Sequence, residues 1–451
     1  MNTPICDFVR MYTESAPIRF HMPGHKGRAA DAAAGRTPLY STDITEVKGA
    51  DVLYAARGCI RESEENAGSL FGSARTLYST EGSSLCIRAM LYLAVMHAML
   101  RGRSPRIAAG RNAHRVFLDT VALLDLDVEW LGSGDELLRT GIDCGELEAL
   151  FTEEASAPTA VYVTSPDYLG NRTDLKPIAE LCRRHDALLI VDNAHGAYLK
   201  FLEHSKHPLD RGADLCCDSA HKTLPVLTGG AYLHASRDCP EELLGMMERA
   251  MALFASTSPS WLILQSLDAC NARLAADYPA RIRKTAGELR HVKQNLLEQG
   301  WELTGDEPLK LTLCPKSRGY TGTELAGVLR EKGIVCEFSD PDYLVLMVTP
   351  ENTGEELERL LSALTELPEK AAIENRAPAT GRPVPVLRPH EVLFRPLEHI
   401  PAEDSVGRIL ASPGVSCPPA VPIVLCGERI DDKALELFRY YGIEFCDVVK
   451  E

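Results

Sequence analysis

The chain is short of positive charge: 48 Lys and Arg face 64 Asp and Glu, a formal net charge of −16 over 451 residues. It has no long basic stretch. That argues against nucleic acid as the main partner, because phosphate recognition needs clustered Lys and Arg. The same deficit makes an anionic membrane surface a poor partner. No uninterrupted apolar run reaches the ~18 residues of a membrane span, and the best stretch, Leu91 to Leu100, is broken by His97. The first residues, MNTPICDFVRMYTES, lack the apolar core of a signal peptide. The 14 cysteines include no Cys-x-x-Cys, and Cys216-Cys217 is the only close pair. Neighbours on a strand face opposite ways. The expectation is therefore free, mostly buried thiols and no metal site, in keeping with a reducing cytoplasm. Gly-x-Gly-x-x-Gly and GxxxxGK[ST] are both absent, which removes the usual signatures of an NAD site and an NTPase loop.

What is present is an ordinary globular composition, 45% hydrophobic and 25% charged, in a length suited to two or three domains. Residues 1–57 read as an irregular arm carrying FHMPGHKG (Phe20 to Gly27), an alanine-rich patch and STDITEV (Ser41 to Val47). Residues 58–280 alternate short apolar strands with longer helical stretches. The expected strands are Arg106–Ala109, Ala160–Thr164, Ala187–Asp192, Asp214–Cys217 and Ala231–Ala235; helices are expected at Ser84–Leu100 and Leu175–Arg184. Such alternation predicts a large α/β domain, a mostly parallel sheet covered by helices. From 281 the character changes. A long charged helix over Arg281–Gln299 leads into short strands at Glu337–Phe338 and Tyr343–Val348 and a helix at Gly354–Leu367. A proline-rich connector follows between Ala377 and Pro389, then an apolar run at Val421–Cys426. Residues 281–451 read as a smaller C-terminal α+β domain.

Four segments carry chemistry. In the first, the strand Asp214–Cys217 runs into Ser219-Ala220-His221-Lys222-Thr223, bounded by Gly229-Gly230. A lysine held there can lose its proton and form a Schiff base with a carbonyl, or it can simply reach solvent from a strand end. In the second, the apolar run ALLIVD ends in Asp192, at the carboxyl edge of a parallel sheet, where ligands bind in open α/β folds. Asp192 could keep a ring nitrogen protonated, or cap the next turn. In the third, Ser79-Thr80-Glu81-Gly82-Ser83-Ser84 precedes a strongly apolar helix. Amide groups at that helix start, with the serine hydroxyls, suit a phosphate, although ordinary serine capping gives the same pattern. In the fourth, His114 follows the strand Arg106–Ala109 and could stack on a flat ring or serve as a structural histidine.

In chain order these give an anion cradle, a stacking histidine, a strand-end carboxylate and, 30 residues after it, a lysine. That set is what pyridoxal 5′-phosphate (PLP) requires.

At this point the chain resembles the Orn/Lys/Arg decarboxylases of the fold-type I, aspartate-aminotransferase-like PLP superfamily, in their short form without an N-terminal wing domain. The resemblance rests on FHMPGHKG and DITEV, on GSS at Gly82–Ser84, RNAH at Arg111–His114, VDNAHGA at Val191–Ala197 and SAHKTLPVLTGGAYLH at Ser219–His234. Gly333–Pro350 and Pro418–Ile430 also fit. It implies that Lys222 holds PLP, that Asp192 pairs with the pyridine nitrogen and that His114 stacks on the ring. Ser83, Ser84, Ser219 and His221 would serve the phosphate, and His195 would lie beside the ring. It further implies a cytoplasmic homodimer or higher homo-oligomer in which His21, His25 and Lys26 sit near a shared active site. The implied reaction is decarboxylation of arginine, lysine or ornithine. Transamination or β-elimination on the same scaffold is the alternative. Departures from the family pattern are Asn193, where Glu or Ser is more usual, Gly229, where Gln is frequent, and Cys417, Ala420 and Cys426, in place of the usual Tyr, Gly and Pro. They bear on the substrate pocket more than on the cofactor.

Overall fold

The computed structural model describes residues 1–28, 37–132, 141–153, 157–379, 381, 383–412, 414–417 and 421–450. The alanine-rich patch of the arm, Pro418 and Ala420 lie outside the described residues. Seven strands form the main sheet: β1 (Arg75–Ser79), β2 (Arg106–Gly110), β3 (Asp127–Leu131), β4 (Ala160–Thr164), β5 (Leu188–Asp192), β6 (Leu215–Asp218) and β7 (Ala231–Ala235). Their order is β1-β7-β6-β5-β4-β2-β3. β2 runs parallel to β3 and β4, and β5 parallel to β6; β7 is antiparallel to both β1 and β6. The expected mostly parallel sheet is thus present. Two strands, β1 and β3, are additional to the expectation. β3 (DVEWL) carries two carboxylates and is exposed to half-buried along most of its length, so it shows no apolar run. β5 is buried at all five positions, as a central strand must be.

By compactness the chain divides into two units, Met1–His97 with Ile190–Ile282, and Ala98–Leu189 with Arg283–Glu451.

In the first unit the arm is not irregular throughout. Pro4–Glu14 is a helix. Proline at its start costs no hydrogen bond, because the first amide groups of a helix are unpaired anyway. Ile5 and Val9, one turn apart, are 0% and 1% exposed, each worth ~1.5–3 kcal/mol of burial. The Cys6 amide donates to Asp268 at 2.9 Å. One apolar stripe ahead of a Pro-, His- and Gly-rich stretch is too short to stand out in the sequence. The helix Gly82–Leu100 corrects a second expectation. By length and composition it is apolar enough to cross a membrane, yet 56% of its apolar 18-residue window is buried inside the fold. Leu85, Ile87, Met90, Leu91 and Leu93 are at most 1% exposed, the pattern of a core helix.

In the second unit a four-stranded antiparallel sheet runs Phe338–Ser339, Leu344–Met347, Lys310–Leu313, Leu303–Thr304. The helices Gly322–Glu331 and Gly354–Thr365 each begin in a capping box, Thr321 with Glu324 and Thr353 with Glu356. Two further two-stranded sheets pair Leu397–Pro401 with Phe445–Val449 and Gly414–Cys417 with Val421–Leu425.

Candidate active site

The candidate residues of the first unit lie at the carboxyl ends of β5 and β6 and at the start of the helix Gly82–Leu100. Asp192 ends β5 and is 3% exposed. Its Oδ1 accepts from the Ala194 amide at 3.1 Å, and the Cys217 thiol donates to the same oxygen at 3.6 Å. The parallel register sets Asp192 directly against Cys217, which is why that thiol is in reach. Burial drives the Cys217 thiol pKa well above its usual value, so it stays a donor.

Asp218 ends β6, and Ser219 opens a single helical turn, Ala220–Thr223, that contains Lys222. The turn is pinned by the His221 amide donating to Gly230 O at 3.1 Å and the Lys222 amide donating to Ser219 O at 3.0 Å. Lys222 Nζ lies 3.1 Å from Nε2 of His195, which is 6% exposed. His221 Nδ1 donates to Gly230 O at 3.0 Å, and burial lowers the pKa of its ring.

Ser219 Oγ donates to Ser83 Oγ at 2.8 Å, so two hydroxyls meet in the first turn of the helix Gly82–Leu100. That turn carries no acidic side chain. Gly82 and Gly229 both have positive φ, and the Gly82 amide donates to Gly229 O at 2.7 Å. A Cβ on Gly229 would lie 2.9 Å from Thr80 O, so a glutamine there would push the two loops apart. This glycine departure is a structural feature of the cradle. Ser84 is half-buried on the same turn.

The second unit holds His114. It is exposed and caps the helix Arg115–Leu124, its Nδ1 accepting from the Val116 amide at 3.2 Å. Arg111 makes a two-pronged pair with Glu428, at 2.7 and 2.9 Å, so two of the quoted sequence blocks meet there. In the arm, His25 Nε2 faces Asp43 at 3.0 Å and Lys26 Nζ donates to His21 O at 2.6 Å.

The described residues fit PLP: a lysine amine held by an imidazole, a buried strand-end carboxylate, paired hydroxyls at a helix start without acids, and two glycines at positive φ. Sequence reasoning did not single out Cys217 or Asp218 as partners in this site. The register of β5 on β6 brings them in, and no motif marks them.

A family model described as "Orn/Lys/Arg decarboxylase, major domain" matches residues 3–312. The chain is 30% identical to an arginine decarboxylase of Halalkalibacterium halodurans, over 97% of this chain and 93% of that one. It is 29% identical to an arginine decarboxylase of Bacillus subtilis, over 96% and 92%. The constitutive lysine decarboxylase of E. coli has the same fold, with a TM-score of 0.79 and 19% identity over 100% of this chain and 82% of that one.

Proposed function

The chain belongs to the Orn/Lys/Arg decarboxylase family, and on that premise we propose a PLP-dependent decarboxylase that converts a basic amino acid to its amine and carbon dioxide. The substrate is arginine, lysine or ornithine; similarity along the whole chain to arginine decarboxylases favours arginine. The observation that carries the reading is the contact of Lys222 Nζ with His195, in a turn anchored beside Ser83 and two strands' ends.

Lys222 would hold the cofactor's aldehyde carbon, Asp192 its ring nitrogen, and Ser83, Ser84, Ser219 and His221 its phosphate. His114 would cover one face of the ring, with His195 beside it. When bound, PLP supplies the sink for the electron pair released as carbon dioxide leaves. Buried Asp192 would keep the proton on the ring nitrogen, and the Ala194 amide and Cys217 thiol hold its Oδ1 in place. His195 Nε2 accepts from Lys222 and aims the amine. The helix start draws the phosphate by its unpaired amides and positive dipole end.

We further propose a homodimer or higher homo-oligomer whose arm, residues 1–57, reaches a shared site. Ile18, Phe20 and Met22 are 80%, 93% and 56% exposed around the FHMPGHKG segment. Apolar side chains so exposed suit burial against a second copy. Residues 58–280 would form the cofactor-binding domain and 281–451 the smaller domain. A cytoplasmic location accords with the free cysteines among the described residues.

Assaying arginine, lysine and ornithine for carbon dioxide release, with and without added PLP, tests the reading. Stoichiometric amine and carbon dioxide from one of them supports it. A keto acid or ammonia in place of carbon dioxide overturns it in favour of transamination or β-elimination.

A further inference from the structure

Asp218 is the last residue of β6, one before Ser219 and four before Lys222, and it is fully buried. Its Oδ1 accepts from Asn193 Nδ2 at 2.6 Å, and its Oδ2 from His207 Nε2 at 3.0 Å. His234 Nε2 stands 3.3 Å from Oδ2 without hydrogen-bond geometry. Asn193, His207 and His234 are all 0% exposed. The Leu209 amide donates to His207 Nδ1, which places the His207 proton on Nε2, facing the carboxylate. Burial opposes ionisation of Asp218, but the field of His207, its hydrogen bond and the contact with His234 together hold its carboxyl well below the usual range. Burial also lowers the pKa of the His234 ring. The buried Asp218 carboxylate is thus met by an amide N–H and an imidazole N–H, with a second imidazole close by.

Asn193 follows Asp192. Its backbone amide donates to Cys217 O at 3.0 Å while its side chain holds Asp218. A Cβ at Gly196 would come within 2.0 Å of Asn193 Oδ1, so glycine there is what lets the amide take this position. A glutamate at 193 would set a second carboxylate against Asp218, and a serine would be too short to make the same bond. This departure from the family pattern therefore has a local partner.

We propose that Asn193 and Asp218 are positioning residues of the cofactor site: their bond locks the residue after Asp192 to the residue before Ser219, and so fixes the strand-end carboxylate relative to the Lys222 turn. The inference rests on the reading that Asp192 and Lys222 hold PLP.

The test compares full-length Asn193→Asp, Asn193→Ala and the reciprocal double variant Asn193→Asp/Asp218→Asn with the parent. The measurements are PLP dissociation constant, the pH midpoint of the bound-cofactor absorbance band, and thermal unfolding without PLP. Asn193→Asp apposes two carboxylates and is expected to weaken PLP binding tenfold or more and shift the band midpoint. The double variant restores one donor facing one acceptor in reverse and is expected to recover both within about threefold. Asn193→Ala, which adds no charge, covers the case in which Asn193→Asp does not fold; it should move both readouts the same way by less. Parent-like affinity and midpoint in Asn193→Ala overturns the inference, as does a double variant no better than Asn193→Asp. Borohydride reduction of the parent separates this failure from that of the underlying reading. A pyridoxyl group away from Lys222 defeats the reading, whereas one on Lys222 with unaffected variants defeats only the positioning role.

Discussion

His195 Nε2 lies 3.1 Å from Lys222 Nζ, across the gap between the loop that follows β5 and the turn that follows β6. The two residues are 27 apart in the chain and meet because parallel strands deliver their carboxyl ends to one edge. A lysine in such a contact is aimed by its partner, and its chemistry depends on both.

Lys222→Ala is expected to abolish covalent PLP attachment. Mass spectrometry after borohydride reduction of the parent should place the pyridoxyl group on Lys222. Finding it on another lysine removes the basis for every assigned site residue.

Asp192→Asn should retain PLP and lower turnover by roughly a hundredfold or more, the scale for losing one preorganised electrostatic partner. An amide cannot hold the ring nitrogen protonated. Steady-state rates at saturating substrate check this, and near-parent turnover would show that Asp192 does not serve the nitrogen.

Ser83→Ala and Ser219→Ala each remove one hydroxyl of a bonded pair. Each should weaken PLP binding by ~1 kcal/mol or more, about fivefold, with little change in rate once PLP saturates. Fluorescence titration of apoenzyme measures the affinity. Unchanged affinity in both variants would move the phosphate elsewhere.

Mixed dimers of Lys222→Ala subunits with subunits altered at His25 and Lys26 should regain activity that neither parent variant has, because one site of the hybrid receives both intact halves. Hybrids that form and stay inactive would confine the arm to its own subunit.

Glu64 is 2% exposed, and burial pushes its carboxyl from 4.5 up to about 8, against the pull of the Tyr78 amide. Because the folded value is raised, the folded state holds the extra proton between the two values. The stability this contributes is complete below about 4.5 and is lost as pH rises through about 8, on the order of 3–5 kcal/mol in all. Glu64→Gln keeps an acceptor for the Tyr78 amide and removes the titration. Urea unfolding at pH 5.5 and 8.5 should show a smaller loss of stability in the variant than in the parent; equal losses would mean that Glu64 does not titrate in this range.

Much of the fold and most of the candidate site were legible in local pattern. Apolar runs bounded by breakers marked β4, β5 and β7, and Ser83, His114, Asp192 and Lys222 stood out because each follows a strand or opens a helix. What stayed hidden has a common cause. The helix Pro4–Glu14 depends on a single apolar stripe that gains its energy only when packed against the helices Cys59–Phe71 and Trp261–Leu274. The edge strand β3 is exposed to half-buried along most of its length, so burial selects no apolar run there. Cys217 and Asp218 look like strand residues until the register of β5 on β6 sets Cys217 against Asp192 and turns Asp218 toward Asn193. The sequence by itself determined the residue types, their order and the alternation that makes an α/β sheet, because those follow from covalent spacing and burial periodicity. Only the tertiary structure decided which buried polar groups meet, because strand register and the desolvation of paired groups depend on residues far apart in the chain.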